Sequence, residues 1–312
     1  VSLKILLAVD GSAHAESATR LLRELQSGPG TRIKVMTVVP EHTFLGGITL
    51  HGIRGSGAGK DQARKVQEEQ AGQLLQAPAG LLRAGGVEVE TEVCRGRPAE
   101  VILGRSRDMQ ADLVVIGAKG TGGSERFPLG SVAQKVMKYA GTSVLLAREG
   151  SGAIRRVLVA TDGSRYSSEA IRFLLDLPLP GRSEVILVTA LQSHVSDLIK
   201  RPTLGLEPNQ QLLMQLQAAE AEAGRILMSK TRKEFRDRGY DASSLILRGE
   251  PSEEILLAAH SMCPELITVG AKGLSETAPF LLGSVAQRVA RFSRFSVLIV
   301  RPDTWGLSKT AG

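Results

Sequence analysis

The sequence predicts an α/β protein built from two tandem doubly wound domains, each with a five-stranded parallel sheet flanked by helices. Three observations carry that reading. Apolar runs of strand length alternate with helical stretches, which gives parallel strands covered on both faces. The whole succession occurs twice. A glycine signature recurs with it: GAKG, nine residues, then GSVAQ, at Gly117 to Gln134 and again at Gly270 to Gln287.

The repeat reaches well beyond the glycines. KILLAVDGS (Lys4 to Ser12) returns as RVLVATDGS (Arg156 to Ser164), and RGRP (Arg95 to Pro98) returns as RGEP (Arg248 to Pro251). An offset of about 152 residues is too long for solenoid or propeller repeats of about 20 to 50, so a whole domain is duplicated. The boundaries expected are residues 1–148 and 155–302 for the two domains, 149–154 for a short linker, and 303–312 for a C-terminal tail. EGSGA (Glu149 to Ala153) marks the seam.

In copy one, Lys4 to Val9 reads as a buried strand closed by Asp-Gly. Ser12 then caps a helix in which Ala18, Leu21, Leu22 and Leu25 share one face. Arg32 to Val39 is the second strand and Asp61 to Ala84 a long polar-faced helix. Val87 to Cys94 alternates as a third strand, Ala99 to Met109 is helical, and Asp112 to Gly117 is a short, very apolar fourth strand. A helix over Ser131 to Tyr139 and a last strand, Ser143 to Ala147, complete the copy. Copy two places strands near Arg156 to Thr161, Glu184 to Ala190, Ser244 to Arg248, Leu266 to Gly270 and Ser296 to Val300. His42 to Gly59 and Ser193 to Asn209 fall outside the pattern and read as mobile loops. GSGAGK (Gly55 to Lys60) is not a phosphate loop of the strand–loop–helix type: Arg54 and Asp61 stand where that motif needs Gly and Ser or Thr.

Composition excludes several classes. With 42% hydrophobic and 23% charged residues the chain is an ordinary globular one, and it holds no run of the roughly 20 apolar residues that span a membrane. The start VSLKILLAVDGS lacks the features of a secretion signal, so the expected location is cytoplasmic. Net charge is +7, but basic and acidic residues are interleaved and aromatics are only 4%, which argues against a specific nucleic-acid partner. Cys94 and Cys263 sit at non-equivalent points of the repeat and read as core residues. The five histidines recur at no equivalent position and receive no chemistry; no metal site is expected.

Ligands of open α/β sheets bind beyond the carboxyl ends of the strands, where strand order reverses. Asp10 and Asp162 end the first strands, Val38 and Ala190 lie near the ends of the second, and the GAKG segments begin where the fourth strands stop. Glycines there allow positive φ and close approach of backbone N–H groups to an anion. Gly130-Ser131 and Gly283-Ser284 open helices whose first N–H groups and dipole favour phosphate, with the serine hydroxyl capping the helix or meeting a phosphate oxygen. Read as structure alone, the glycines form turns and pack helix on strand, and the aspartates order a strand-to-helix turn. Two copies with the same spacing favour the ligand reading.

On these motifs the chain resembles a tandem universal stress protein of the nucleotide-binding type, matching over nearly the whole of both copies. The family pattern G-x2-G-x9-G-(S/T) falls on Gly117, Gly120, Gly130 and Ser131, and on Gly270, Gly273, Gly283 and Ser284. The resemblance implies strand order 3-2-1-4-5 in each copy and ATP as the ligand, with Mg2+ as an optional companion. It implies that Asp10 and Asp162 meet the adenine amino group, that Val38 and Ala190 line the base, and that the glycines and serines hold ribose and phosphates. Lys119 and Lys272 would screen phosphate charge. It further implies that the apolar fifth strands pair to make a pseudo-dimer within the chain, and a homodimer of chains is compatible with it.

The expected function is an ATP-binding protein of stress response or regulation, acting through nucleotide-dependent conformation or contact with a protein partner that no sequence feature names. An ATPase or adenylyl-transferring enzyme is the second reading; no catalytic residue recurs beside both loops, so at most slow hydrolysis is expected. A scaffold without nucleotide is the third. Between the copies, Arg126 faces Pro279, Gly123 faces Glu276, and Val38 faces Ala190, which ranks copy one as the tighter ATP site.

Overall fold

The computed structural model describes residues 2–25, 30–41, 44–45, 48–49, 57–121, 128–150, 152–177, 179–191, 210–274 and 282–302. Copy one runs β1 (Lys4–Ala8), α1 (Ala13–Glu24), β2 (Arg32–Val39), a ribbon of β3 (Phe44–Leu45) and β4 (Ile48–Thr49), α2 (Gly57–Arg83), β5 (Glu88–Arg95), α3 (Pro98–Asp108), β6 (Leu113–Gly117), α4 (Ser131–Tyr139) and β7 (Ser143–Ala147). Copy two runs β8 (Arg156–Ala160), α5 (Arg165–Asp176), β9 (Glu184–Leu191), α6 (Gln210–Arg236), β10 (Asp241–Arg248), α7 (Pro251–Met262), β11 (Leu266–Gly270), α8 (Ser284–Phe292) and β12 (Ser296–Val300).

All strands but those of the ribbon join one ten-stranded sheet, in the order β10-β9-β8-β11-β12-β7-β6-β1-β2-β5. Within each copy the pairing is parallel and follows third, second, first, fourth, fifth. The copies meet where β12 pairs antiparallel with β7, through Val297↔Leu146, Leu298↔Leu145 and Ile299↔Val144. Both strands are buried along their whole length, so an apolar edge that would invite foreign strands is covered by the chain itself.

Two arginines at the ends of these strands reach across the seam. Arg148 donates through Nη2 to the carbonyls of Ala290 (2.9 Å) and Arg291 (3.3 Å) at the end of α8, and through Nη1 to Pro128 O. Arg301 donates from Nη2 to Met137 O (2.9 Å) in α4. Each copy's last helix thus ends on a cation from the other, which satisfies carbonyls that a helix terminus leaves open and opposes its negative dipole end.

Helices cover both faces. Leu21 and Leu22 of α1, Leu75 and Leu82 of α2, Phe173 of α5 and Phe235 of α6 form one core; Ile102 of α3, Val136 of α4, Ile255 of α7 and Val289 of α8 form the other. Element boundaries follow the sequence pattern within a few residues. Two differences have local causes. The stretch from His42, read as a loop, holds the short β3–β4 ribbon, and α2 begins already at Gly57, in a Gly-Ala-Gly-Lys run that carries no apolar face to betray a helix. Ser193 to Asn209 lies outside the described residues. Cys94 is buried, but Cys263 is exposed, in a left-handed conformation that ends α7. No described helix is long and apolar enough to cross a membrane.

Candidate functional site

Each site begins at the turn after the first strand. Gly11 and Gly163 take φ of +79° and +76°, which a side chain would resist, and these turns aim Asp10 and Asp162 across the sheet ends. Ser12 and Ser164 cap the helices that follow, accepting from the N–H groups of Ala15 and Ser167 at 3.2 Å.

The aspartates do two jobs at once. Asp10 accepts from Ser12 N–H (3.1 Å) on one oxygen and from Thr121 N–H (3.3 Å) on the other. Asp162 repeats this with Ser164 N–H (2.9 Å) and Leu274 N–H (3.1 Å). The carboxylate therefore clamps the strand-to-helix turn to the glycine segment that follows the fourth strand. The structural role weighed from sequence is realised, and it extends to a second loop more than 100 residues away.

Four of the motif glycines, Gly117, Gly120, Gly270 and Gly273, are required by crowding, and none of the motif glycines by positive φ; that expectation is corrected. None of Gly117, Gly120, Gly130, Gly270, Gly273 and Gly283 is among the positive-φ glycines. A Cβ on Gly117 would stand 3.0 Å from Ala15 N, and one on Gly270 2.8 Å from the Tyr166 carbonyl carbon, so these glycines let the fourth strand end against the first helix. A Cβ on Gly120 or Gly273 would meet the clamping carboxylate, at 2.5 Å from Asp10 Oδ2 or 2.9 Å from Asp162 Oδ2.

Gly130 and Gly283 are the N-caps of α4 and α8, and neither helix receives a side-chain cap. Ser131 and Ser284 are the first helical residues, so the expected serine cap is replaced by a glycine that leaves the helix mouth open. The loop is pinned shut just before it: Gly130 N–H donates to Ala118 O (2.8 Å) and Gly283 N–H to Ala271 O (2.7 Å).

In copy two these parts surround one cavity of about 540 Å3. Asp162, Ala190, Gly270, Lys272, Gly273, Gly283 and Ser284, all singled out from sequence, line it. The first turn of α8, through Val285 and Ala286, forms part of its wall. Lys272 is only 6% exposed and lies over the Tyr166 ring at 5.8 Å, held in place rather than free in solvent. In copy one Lys119 is half-buried, and Val38 packs against the core beneath α3 and α4.

Sequence reasoning missed three contributors, Glu250, Glu220 and Gly224. Glu250 stands inside the quoted RGEP repeat, so its signal was present; it accepts from Ser252 Oγ (2.6 Å) and Glu253 N–H (2.9 Å) and pairs with Arg288 at 3.6 Å. Burial pushes its carboxyl up, but these hydrogen bonds and Arg288 together hold it below its ordinary value. Glu220 and Gly224 come from α6, whose polar pattern gives no hint that one face meets a cavity. His14, assigned no chemistry, lies on α1 beside Gly117; burial, with Arg148 and Lys119, lowers its pKa against the opposing pull of Glu149 and Asp10. Arg126, Gly123, Glu276 and Pro279 lie outside the described residues.

The model of the universal stress protein family matches twice, over residues 3–148 and 153–301. A universal stress protein of Mycolicibacterium smegmatis is 26% identical over 311 residues, covering 96% of this chain and 97% of the relative. One from Thermus aquaticus is 34% identical over 145 residues, covering 46% of this chain and 97% of the relative. Among solved structures, a universal stress protein from Archaeoglobus fulgidus superposes with a TM-score of 0.63 at 19% identity, covering 96% of this chain and 98% of that one.

Proposed function

We propose that this chain, which belongs to the universal stress protein family, binds adenine nucleotides at the two switch points of its sheet and acts in the cytoplasm as a stress-response or regulatory protein. One observation carries the reading: the open first turn of α8 forms a wall of a cavity that also holds Asp162, Lys272 and the motif glycines. Uncapped N–H groups and the positive dipole end favour phosphate. The volume suits a nucleotide, since small-molecule sites occupy about 300 to 1,000 Å3. Val188, Ala190 and Leu191 supply an apolar flank for a base, and the carboxylate of Asp162 accepts from an exocyclic amino group. Phosphate groups belong at the polar end, those of ATP with Mg2+ as an optional companion; Gly130 to Ala133 and Gly283 to Ala286 would hold them.

The output follows from the same contacts. A nucleotide that draws on the N–H groups around Thr121 and Leu274 competes with or reinforces the aspartate clamp. The join of Asp10 to Thr121 and of Asp162 to Leu274 then depends on occupancy, and a protein partner reads that change. The discriminating experiment is the nucleotide content of the purified chain after denaturation and chromatography, with titration of added ATP. Bound ATP or ADP, or saturable uptake, is the expected result; a chain that is empty and refuses ATP overturns the proposal in favour of a scaffold.

A further inference from the structure

The two copies carry the same site glycines but not the same charges. At corresponding positions copy one has Asp10, Gln67, Arg97 and Lys119, with formal charges of −1, 0, +1 and +1 that sum to +1; copy two has Asp162, Glu220, Glu250 and Lys272, with −1, −1, −1 and +1 that sum to −2. All four copy-two residues line its cavity. Three of them are already engaged. Asp162 takes two backbone N–H groups, Glu250 takes Ser252, Glu253 N–H and Arg288, and Lys272 lies on Tyr166.

Glu220 is the exception. Its Oε2 is buried and, among the described residues, accepts no hydrogen bond. A carboxylate oxygen removed from water without a donor is costly, and because Glu220 lines the cavity, a ligand that brings a donor relieves that cost when the side chain turns to meet it. What enters must bring a donor and little negative charge. A triphosphate brings the charge; the hydroxyls of a ribose and the amino edge of a base bring the donors.

We infer that Glu220 is a specificity-determining residue that makes the copy-two cavity select adenosine or its monophosphate over ATP, while the corresponding site of copy one, with Gln67 in that place, takes the triphosphate. This rests on the adenine-nucleotide reading and assigns the ligand class within it. The chain then compares two charge states of the same nucleoside, one in each half.

The test uses the full chain with Gly130→Val, which silences the copy-one site, titrated calorimetrically with adenosine, AMP and ATP. The expected order is adenosine or AMP tighter than ATP by about 10-fold or more. Adding Glu220→Gln, which keeps the shape and removes the charge, should shift the adenosine-to-ATP preference by about 10- to 100-fold toward ATP, the range for loss of a charge-assisted hydrogen bond. The reciprocal Gln67→Glu, in a chain otherwise unchanged, should weaken ATP at the copy-one site, and it serves if the valine variant does not fold. An adenosine-to-ATP ratio that Glu220→Gln leaves unmoved, or a copy-two cavity that prefers ATP, overturns the inference while adenine binding itself stands. A chain that binds no adenine ligand in either half is a different result and removes the parent reading as well.

Discussion

The two halves of this chain fold alike and finish their sites differently. In copy one the turn after β1 is lined by Val9 and Ala15, and Ser12 Oγ reaches outward to donate to Lys119 O at 3.3 Å. In copy two the same places hold Thr161 and Ser167. Thr161 Oγ1 bonds Ser167 Oγ at 3.0 Å and accepts from Gly163 N–H at 3.3 Å, and Ser164 Oγ turns inward to Ser167 at 3.4 Å. The aspartates tie both turns to the glycine segments, but the serine hydroxyl adds a second tie in copy one and bonds within its own turn in copy two. His14 beside Lys119 becomes Tyr166 beneath Lys272, and a half-buried lysine becomes a buried one. Duplication preserves the backbone because crowding at Gly117 and Gly270 leaves no alternative, whereas polar groups around the cavity drift without cost to the sheet.

The largest effect is expected from Gly130→Val and Gly283→Val. At φ −70° and ψ 156° Gly130, and at φ −63° and ψ 150° Gly283, sit where valine is comfortable, so the fold survives. A Cβ on Gly130 stands 3.4 Å from Ala118 O and from Lys119 Cα, in ordinary contact, so the branches of valine crowd the space between the glycine segment and the start of α4. Each variant should lose ligand in its own half by about 100-fold or more, a difference of about 2.7 kcal/mol. Calorimetric stoichiometry should fall from two sites to one, and to none in the double variant. Two intact sites in either single variant would dismiss the helix mouths as phosphate sites.

Next is the seam. Arg148 holds Pro128 O just before α4 in copy one and the last carbonyls of α8 in copy two, so one side chain joins the start of the last helix of one half to the end of the last helix of the other. Arg148→Met removes these donors and leaves buried carbonyls unpaired, partly offset by relief of a guanidinium whose pKa burial already lowers. A loss of about 2 to 3 kcal/mol in unfolding free energy is expected from denaturant titration, with the same sign for Arg301→Met. A neutral Arg148→Met would show that strands β7 and β12 alone hold the halves together.

Most of the fold was legible in the residues. Strand ends fall where Asp-Gly and Gly-Ala interrupt apolar runs, and the strand order with its paired apolar fifth strands, which the family resemblance implies, matches the ten-stranded arrangement. All the copy-two site residues named from sequence line one cavity. What escaped depends on distance along the chain. Asp10 to Thr121 is a tertiary contact with no local signature, and Glu220 sits on a helix with polar residues on most sides. The reason for the glycines was also misjudged, because a sequence shows where a Cβ is missing and not what it would strike.

Asp10→Ala and Asp162→Ala sharpen the ranking of the halves. The proposed tighter ATP site is copy one, and its support now includes Gln67 against Glu220 and Arg97 against Glu250. Removing Asp10 frees the N–H groups of Ser12 and Thr121 and takes away the acceptor for a base. ATP affinity at the tighter site should drop by about 10-fold or more in Asp10→Ala, a loss of about 1.4 kcal/mol, and hold in Asp162→Ala. Calorimetry in which the tight event persists in Asp10→Ala and vanishes in Asp162→Ala would reverse the ranking.

The smallest effect concerns acid. His14 titrates below its ordinary 6.5 because burial disfavours the imidazolium, with Arg148 and Lys119 adding to that and Glu149 and Asp10 opposing it. The unfolded chain therefore binds more protons than the folded one in the window between the lowered pKa and 6.5. By linkage, stability rises with pH through that window and is lost as pH falls through it. Above it both states are neutral at this residue and nothing changes. Copy two has Tyr166 in the same place, so this term belongs to copy one alone. Melting curves of the chain and of His14→Gln should therefore converge above about pH 7 and separate below pH 6, with the variant losing less on acidification. Parallel curves across the whole range, or a variant more sensitive to acid than the parent, would show that His14 is not desolvated beside the glycine loop and that this difference between the halves has no consequence for stability.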